Sequence, residues 1–260
     1  MPVTTTTPVV AVVSPKGGNG KTTIAVNLAA ALARRQPTVL LDLDVHFGDV
    51  EYALRLHPLL RLDDVLIRHQ TSAKTDIASL LTEHGTSLEV LCAPSEPIAA
   101  DHLSPGDTLA LVDGYIALGR PTVLDTGAGV DDFNIGAIER ATHTVLVTTT
   151  DVPSVQAGRK LIDALAAIAV DPGQMCLAVN RSTADTGLSV ADVEAVLGLG
   201  ASMLIPDDPR ITSSMNLGSP IIDAHPNVPA ARSFQRFADD LLGFGRDNPR
   251  HRFARPGRRS

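Results

Sequence analysis

The chain has 260 residues and a formal net charge of −7; 44% of its residues are apolar but only 3% are aromatic, with no tryptophan. That length suits a single α/β domain with ample chain to bury a core, and a core of Ala, Val, Leu and Ile suits helices packed on a parallel sheet. No apolar run approaches the roughly 18 residues of a membrane-spanning helix, and Cys92 and Cys176, far apart within apolar stretches, exclude a disulfide-stapled scaffold and read as buried free thiols of a reducing compartment.

Residues 1–7 are polar and Pro-flanked, are expected to be disordered, and lack the basic start and apolar stretch of a secretion signal. Val9 to Val13 is short, apolar and β-branched, the pattern of a parallel strand covered on both faces. Ile24, Leu28 and Leu32 then recur every fourth residue among alanines, which predicts a helix lying on the sheet. Between them stands Ser14-Pro15-Lys16-Gly17-Gly18-Asn19-Gly20-Lys21-Thr22-Thr23. Glycines in a strand-to-helix turn let backbone N–H groups converge on a phosphate, and the helix start adds its dipole. Lys21 can reach the β- and γ-phosphates of a nucleotide, and the Thr22 hydroxyl can ligate Mg²⁺.

Gln36-Pro37 breaks the helix, and Thr38 to Leu41 reads as a second strand closing on Asp42-Leu43-Asp44. Period-two geometry puts both carboxylates on one side; each is either a working carboxylate or the cap of the next turn. Helical spacing predicts short helices over Leu62 to His69 and Ile77 to His84. A strand over Leu88 to Pro94 and a helix over Asp107 to Leu118, stopped by Gly119, follow. Thr122 to Gly129 repeats the earlier logic: an apolar run, a carboxylate at Asp125, then Gly127 and Gly129.

Val145 to Val147 ends in Thr148-Thr149-Thr150-Asp151, and Pro153 opens a helix to Ala169. Met175 to Val179 ends in Asn180, and Ala201 to Ile205 in Pro206-Asp207-Asp208. At least five candidate strands thus end in Ser14, Asp42, Asp125, Asn180 and Pro206. Open parallel sheets bind ligands outside the carboxyl ends of their strands, so all these groups fall on one edge. Pro209 to Leu217 and Asn227 to Leu242 read as closing helices. Residues 246–260 hold six Arg and one Asp, so the body is acidic and the tail basic. The expected organisation is a disordered start (1–7), one domain (8–243) and a basic disordered tail (244–260).

The string Lys16-Gly17-Gly18-Asn19-Gly20-Lys21-Thr22-Thr23 resembles the deviant Walker A loop of the ParA/MinD family of ATPases, and the resemblance runs over about residues 8–243. It departs from the usual P-loop in having Pro15 where glycine is expected, and Asn19 takes a place that is usually apolar. The resemblance implies a three-layer α/β P-loop fold, a mostly parallel central sheet with helices on both faces. It implies ATP and Mg²⁺ as cofactors, slow ATP hydrolysis, and an ATP-dependent homodimer in which Lys16 reaches the partner's nucleotide. Gly17 to Thr23 would bind the phosphates. Asp125 resembles the Walker B aspartate, which holds Mg²⁺ usually through water, and the Gly127 to Gly129 turn resembles switch II. Asp44 stands where the family orients the attacking water. Asn180 and the loop at Pro206 and Asp207 would flank the adenine, though an Asn in a plain turn reads the same locally.

Leu-Asp-Leu-Asp-x-x-Phe-Gly-Asp over residues 41–49 resembles most the CpaE/TadZ branch. That implies a cytoplasmic positioning ATPase, recruited to a cell pole or the inner membrane surface, which localises a pilus, secretion or septum-site complex through an unknown partner protein. Two alternatives stay open: a ParA-type partition factor binding DNA non-specifically, and an ATP-binding interaction protein with negligible turnover, which Asn19 permits. Iron–sulfur carriers need paired Cys ligands that Cys92 and Cys176 do not provide. Related tyrosine kinases need a Tyr-rich tail, and the chain has only Tyr52 and Tyr115. A MinD-like membrane anchor needs a C-terminal amphipathic helix, but residues 236–245 carry Asp239-Asp240 and two glycines. The Arg-rich tail can add weak, salt-sensitive contact with a membrane surface or with nucleic acid.

Overall fold

The strands are built as that pattern requires: β1 (Val9–Ser14) and β2 (Thr38–Leu43) are buried at every residue, because helices cover both faces of the sheet. The structure is a computed structural model that describes residues 7–71, 76–85 and 87–244. The segments expected to be disordered at the two ends fall, apart from Thr7 and Phe244, outside the described residues.

After β1 come α1 (Lys21–Ala33), β2, α2 (Val50–Ala53), α3 (Leu62–Thr71), β3 (Thr82–His84), β4 (Leu88–Leu91), α4 (Pro97–Ala100) and α5 (Pro105–Ile116). The second half runs β5 (Thr122–Ala128), α6 (Asp132–Arg140), β6 (His143–Thr148), α7 (Val152–Ala167), β7 (Met175–Val179), α8 (Val190–Leu197), β8 (Ala201–Leu204), α9 (Pro209–Asn216), α10 (Ile221–Ala224) and α11 (Pro229–Leu241). One sheet takes the order β3-β4-β2-β5-β1-β6-β7-β8. Only β3 runs antiparallel to its neighbour.

Alternation along β1 sorts the layers. Val10 and Val12 face a core shared with α1, α9, α10 and α11, while Val9, Ala11 and Val13 face α3, α5, α6, α7 and α8 on the other side. This is the three-layer α/β architecture the sequence implies. The alanines of α1 let α11 approach closely, and buried Asn27 ties α1 to α10 by accepting the Ile221 N–H at 2.7 Å. Cys92 and Cys176 are buried and free, and burial pushes both thiols up to about 12. Among the described residues no helix is long and apolar enough to cross a membrane.

One expected helix is corrected. Residues Ile77–Leu80 form only a turn of 3-10 helix, capped by the Asp76 carboxylate, and Thr82–His84 is a strand paired with Val90, Glu89 and Leu88. Two leucines, Leu80 and Leu81, satisfied the helical spacing, but such a short apolar pattern serves a turn leading into an edge strand equally well.

Candidate functional site

The strand order reverses at β1, whose parallel neighbours are β5 on one side and β6 on the other. Loops leaving the carboxyl ends therefore diverge there and leave a crevice. The register between β1 and β5 slips between Val12 and Ser14, which splays both strands where they deliver their loops.

The glycine loop fills that crevice. Gly20 is the N-cap of α1 in the left-handed conformation, φ 92°, with no side chain capping the helix. The first amides of a 13-residue helix with no acid in its first turn are therefore left open, an anion site by construction. A side chain at Gly20 would also collide with Asn180, which packs 2.4 Å from where a Cβ would stand. Asn180 donates from Nδ2 to the Asn19 carbonyl at 2.9 Å and accepts the Arg181 N–H at 3.0 Å, so its amide is committed to fastening the loop.

Asn19 is buried with its side chain turned into the protein. It donates to Ser14 Oγ at 2.9 Å and accepts from Ser154 Oγ at 3.0 Å. Ser154 in turn lies 2.8 Å from the Thr149 hydroxyl, whose single proton it shares with Asp151 in a short bond. Asp151 caps α7 by accepting the Ser154 N–H at 3.0 Å and stands 3.7 Å from Lys16. Burial opposes its ionisation, but the bonds from Thr149 and Ser154 and the Lys16 charge outweigh that and bring it to about 2.

A cavity of about 670 Å³ opens over Lys21, Thr22 and Thr23, walled by Asp44, His46, Phe47, Gly127 and Asp131. A second, of about 780 Å³, lies over Lys16 and Asn19, with Thr150, Thr186, Asp207 and Thr212 around it. Pro206 lies next to Asp207 but in neither wall. The Gly129 N–H donates to the Ser14 carbonyl at 3.0 Å, strapping the turn after β5 to the root of the glycine loop.

The two carboxylates ending β2 part company. Asp42 is fully buried, accepts the N–H groups of Asp44 and Val50 at 3.2 Å each, and so caps the loop that follows. Gly48 is required there: a Cβ would stand 2.5 Å from Asp42 Oδ2. Burial, then the Asp125 charge, raises Asp42 well above the usual carboxylate range. Asp44 instead faces the cavity 3.9 Å from Lys21 Nζ. Burial raises its pKa and Lys21 opposes the shift.

Asp125 pairs in register with Asp42 on β2 and Val12 on β1. It is wholly buried, and neither carboxylate oxygen has a well-aligned hydrogen-bond partner. Burial pushes it up to about 7, with the Thr22 hydroxyl and Lys21 pulling the other way. Among the described residues no three His, Cys, Asp or Glu side chains form a metal cluster. Mg²⁺ bound beside a nucleotide needs only one or two carboxylates plus phosphates, and an orphaned carboxylate next to a threonine hydroxyl fits that need.

The sequence had pointed to Lys16 through Thr23, Asp44, Asp125, Gly127, Gly129, Asn180, Pro206 and Asp207; the structure places them along one sheet edge, with Asp125, Gly129, Asn180 and Pro206 lining neither cavity. It missed Thr149, Asp151, Ser154 and Arg181. The signal was there for one of them: Asp151 stands just before a helix whose second residue is Pro153, the position of a capping carboxylate.

Comparison with known proteins agrees with this geometry. The septum site-determining protein MinD of Thermotoga maritima is 27% identical over 246 residues, covering 91% of this chain and 89% of that one. A ParA family ATPase from Chlorobium tepidum shares the fold with a TM-score of 0.83 at 21% identity, over 89% of this chain and 98% of that one. The septum site-determining MinD of Pyrococcus horikoshii, solved with Mg-ADP, superposes with a TM-score of 0.79 at 19% identity, over 93% and 99%. Residues 10–221 match the family described as the CobQ/CobB/MinD/ParA nucleotide binding domain, and the chain belongs to that family.

Proposed function

We propose that this chain is an ATP-switched homodimer that positions a protein complex in the cell and hydrolyses ATP slowly with Mg²⁺. The observation that carries the reading is the wholly buried carboxylate of Asp125, without a well-aligned hydrogen-bond partner, behind Lys21 and Thr22. A carboxylate so placed is stabilised by a divalent cation, and Asp125 and Thr22 would hold Mg²⁺. The metal supplies charge neutralisation to a transferring phosphoryl group. The loop amides and Lys21 bind the β- and γ-phosphates, and Asp44 aligns a water against the γ-phosphate. Asp207 borders the base in the second cavity, with Asn180 and Pro206 standing behind the wall residues Arg181 and Asp207.

Lys16 serves the partner's nucleotide, a class of contact worth roughly 10³ to 10⁵ in rate. Its side chain is 41% exposed; exposed Phe47 in the wall of the first cavity, and exposed Val130 and Val152 next in sequence to the wall residues Asp131 and Asp151, offer apolar surface to a second copy. Two to four charged hydrogen bonds to one γ-phosphate, at about 1.5 to 3 kcal/mol each, reach the roughly 5.5 kcal/mol that swings a two-state equilibrium from 1:99 to 99:1. Septum-site relatives support positioning as the output, and the run at residues 41–49 supports the pilus-localising branch.

Sedimentation of the parent, Lys16→Ala and Asp44→Ala with Mg-ADP and Mg-ATP tests this. Dimers are expected with ATP in the parent and Asp44→Ala, the latter without phosphate release, and monomers in Lys16→Ala. The same mass with either nucleotide in all three proteins would refute the switch.

A further inference from the structure

Gly17, Gly18 and Arg181 are the residues that line both cavities, so they frame the passage between them. A nucleotide with its terminal phosphates over Lys21 and Thr22 and its base beside Asp207 must run through that passage. The α-phosphate is the group that falls there. We propose that Arg181 is a phosphate-binding residue of the same copy and that its guanidinium takes the α-phosphate; this rests on the nucleotide reading above.

The backbone presents this side chain at a cost. Arg181 has φ 51°, a left-handed conformation in which non-glycine residues are strained, and such strain persists only where the surroundings impose it. Here they do so on both sides. Asn180 accepts the Arg181 N–H and holds the Asn19 carbonyl, while the Ser182 N–H donates to the Ile205 carbonyl at 2.8 Å just beyond β8. Arg181 is thus clamped between the glycine loop and the last strand, with its side chain exposed at the mouth.

Neighbouring cations are engaged. Lys16 has Asp151, Lys21 has Asp44 and Arg210 has Asp208, whereas among the described residues the Arg181 guanidinium has no ion pair or hydrogen bond. A guanidinium fork matches two phosphate oxygens in a way a lysine does not. Contact at the α-phosphate helps ATP and ADP equally, so Arg181 raises nucleotide affinity without favouring the ATP-bound dimer.

The test is calorimetric titration of Arg181→Gln, Arg181→Lys and Arg181→Gly with ATP, ADP, AMP and adenosine. Arg181→Gly keeps the left-handed backbone without the charge, so it separates strain from chemistry and serves if Arg181→Gln folds poorly. Losing a charge-assisted contact should weaken ATP, ADP and AMP alike by about ten- to a hundredfold in the Gln and Gly variants, less in Arg181→Lys, and leave adenosine unchanged. With saturable turnover, KM should rise while kcat holds. Unchanged ADP affinity in both neutral variants would overturn the proposal, as would a loss confined to ATP, which would put the cation on the γ-phosphate. A parent protein that binds no ADP would overturn the nucleotide reading itself, and this inference with it.

Discussion

Asp151→Asn should tighten the proposed ATP-dependent dimer. Lys16 must leave Asp151 in its own copy, 3.7 Å away, to reach a phosphate in another, and the two side chains are 41% and 40% exposed. Ion pairs that open to water contribute about 0.2 to 1 kcal/mol, against about 1.5 to 3 kcal/mol for a charged hydrogen bond to phosphate. The phosphate therefore wins, and the pair subtracts only a small amount from association. Asn keeps the cap on α7, since Asn and Asp serve that position equally well, and removes the charge. The dimer dissociation constant should fall by about one and a half to fivefold for each Lys16 released, at roughly 1.4 kcal/mol per decade. Because the Asp151 pKa is depressed to about 2, its contribution is complete above the unfolded-state value and is lost only as pH falls towards 2, so neutral buffers do not confound the comparison. Sedimentation with Mg-ATP in an Asp44→Ala background, at low and high salt, reads the constant, and the gain should shrink with salt. An unchanged or weaker dimer would refute the reasoning.

Asp125→Asn should flatten a pH trend in the metal-free protein. A carboxyl at about 7 in the fold and about 3.9 unfolded keeps its proton longer in the folded state, so stability falls as pH rises between those values. The ceiling is on the order of 4 kcal/mol, read as the divergence of urea midpoints of parent and variant from pH 4 to 8; parallel profiles would discard it. Asn19→Val should strand the proton of the Ser154 hydroxyl and take from Ser14 Oγ the donor it accepts from, costing about 1 to 3 kcal/mol and lowering Tm by about 2 to 4 °C per kcal/mol. Combining it with Ser154→Ala should cost less than the two losses added, and strict additivity would show that the bond at 3.0 Å is not shared.

What the sequence made legible was whatever local pattern carries alone. The run from Val9 through the glycines to Leu32 states a strand, a turn and a helix in successive residues, and Asp125 stands at the end of an apolar run. Thr82–His84 carries no such pattern, since its three residues are polar or half-buried and become a strand only because β4 offers an edge. The sequence reading assigned no helix to α6, which holds Gly136 where a Cβ would come 2.2 Å from Leu109; packing against α5 decided it. Asn19 and Ser154 meet across 135 residues, and no local rule joins them.

Charge explains why one copy alone should be slow. The phosphate-side cavity is walled by Asp44, Asp49 and Asp131 against Lys21 and Arg181, with Asp42 and Asp125 buried behind it. A bare triphosphate entering there meets more carboxylate than cation, so it must bring a divalent ion with it. Hydrolysis rests on neutralising charge around the transferred group, and the next cation, Lys16, lines the other cavity and is held by Asp151. If Lys21 and Arg181 are both spent on binding, as proposed, the missing positive charge would come from outside the chain, and Lys16 of a second copy would carry it. On the proposed function, turnover would depend on assembly because of where the lysines sit, and the nucleotide would persist in one copy long enough to act as a signal.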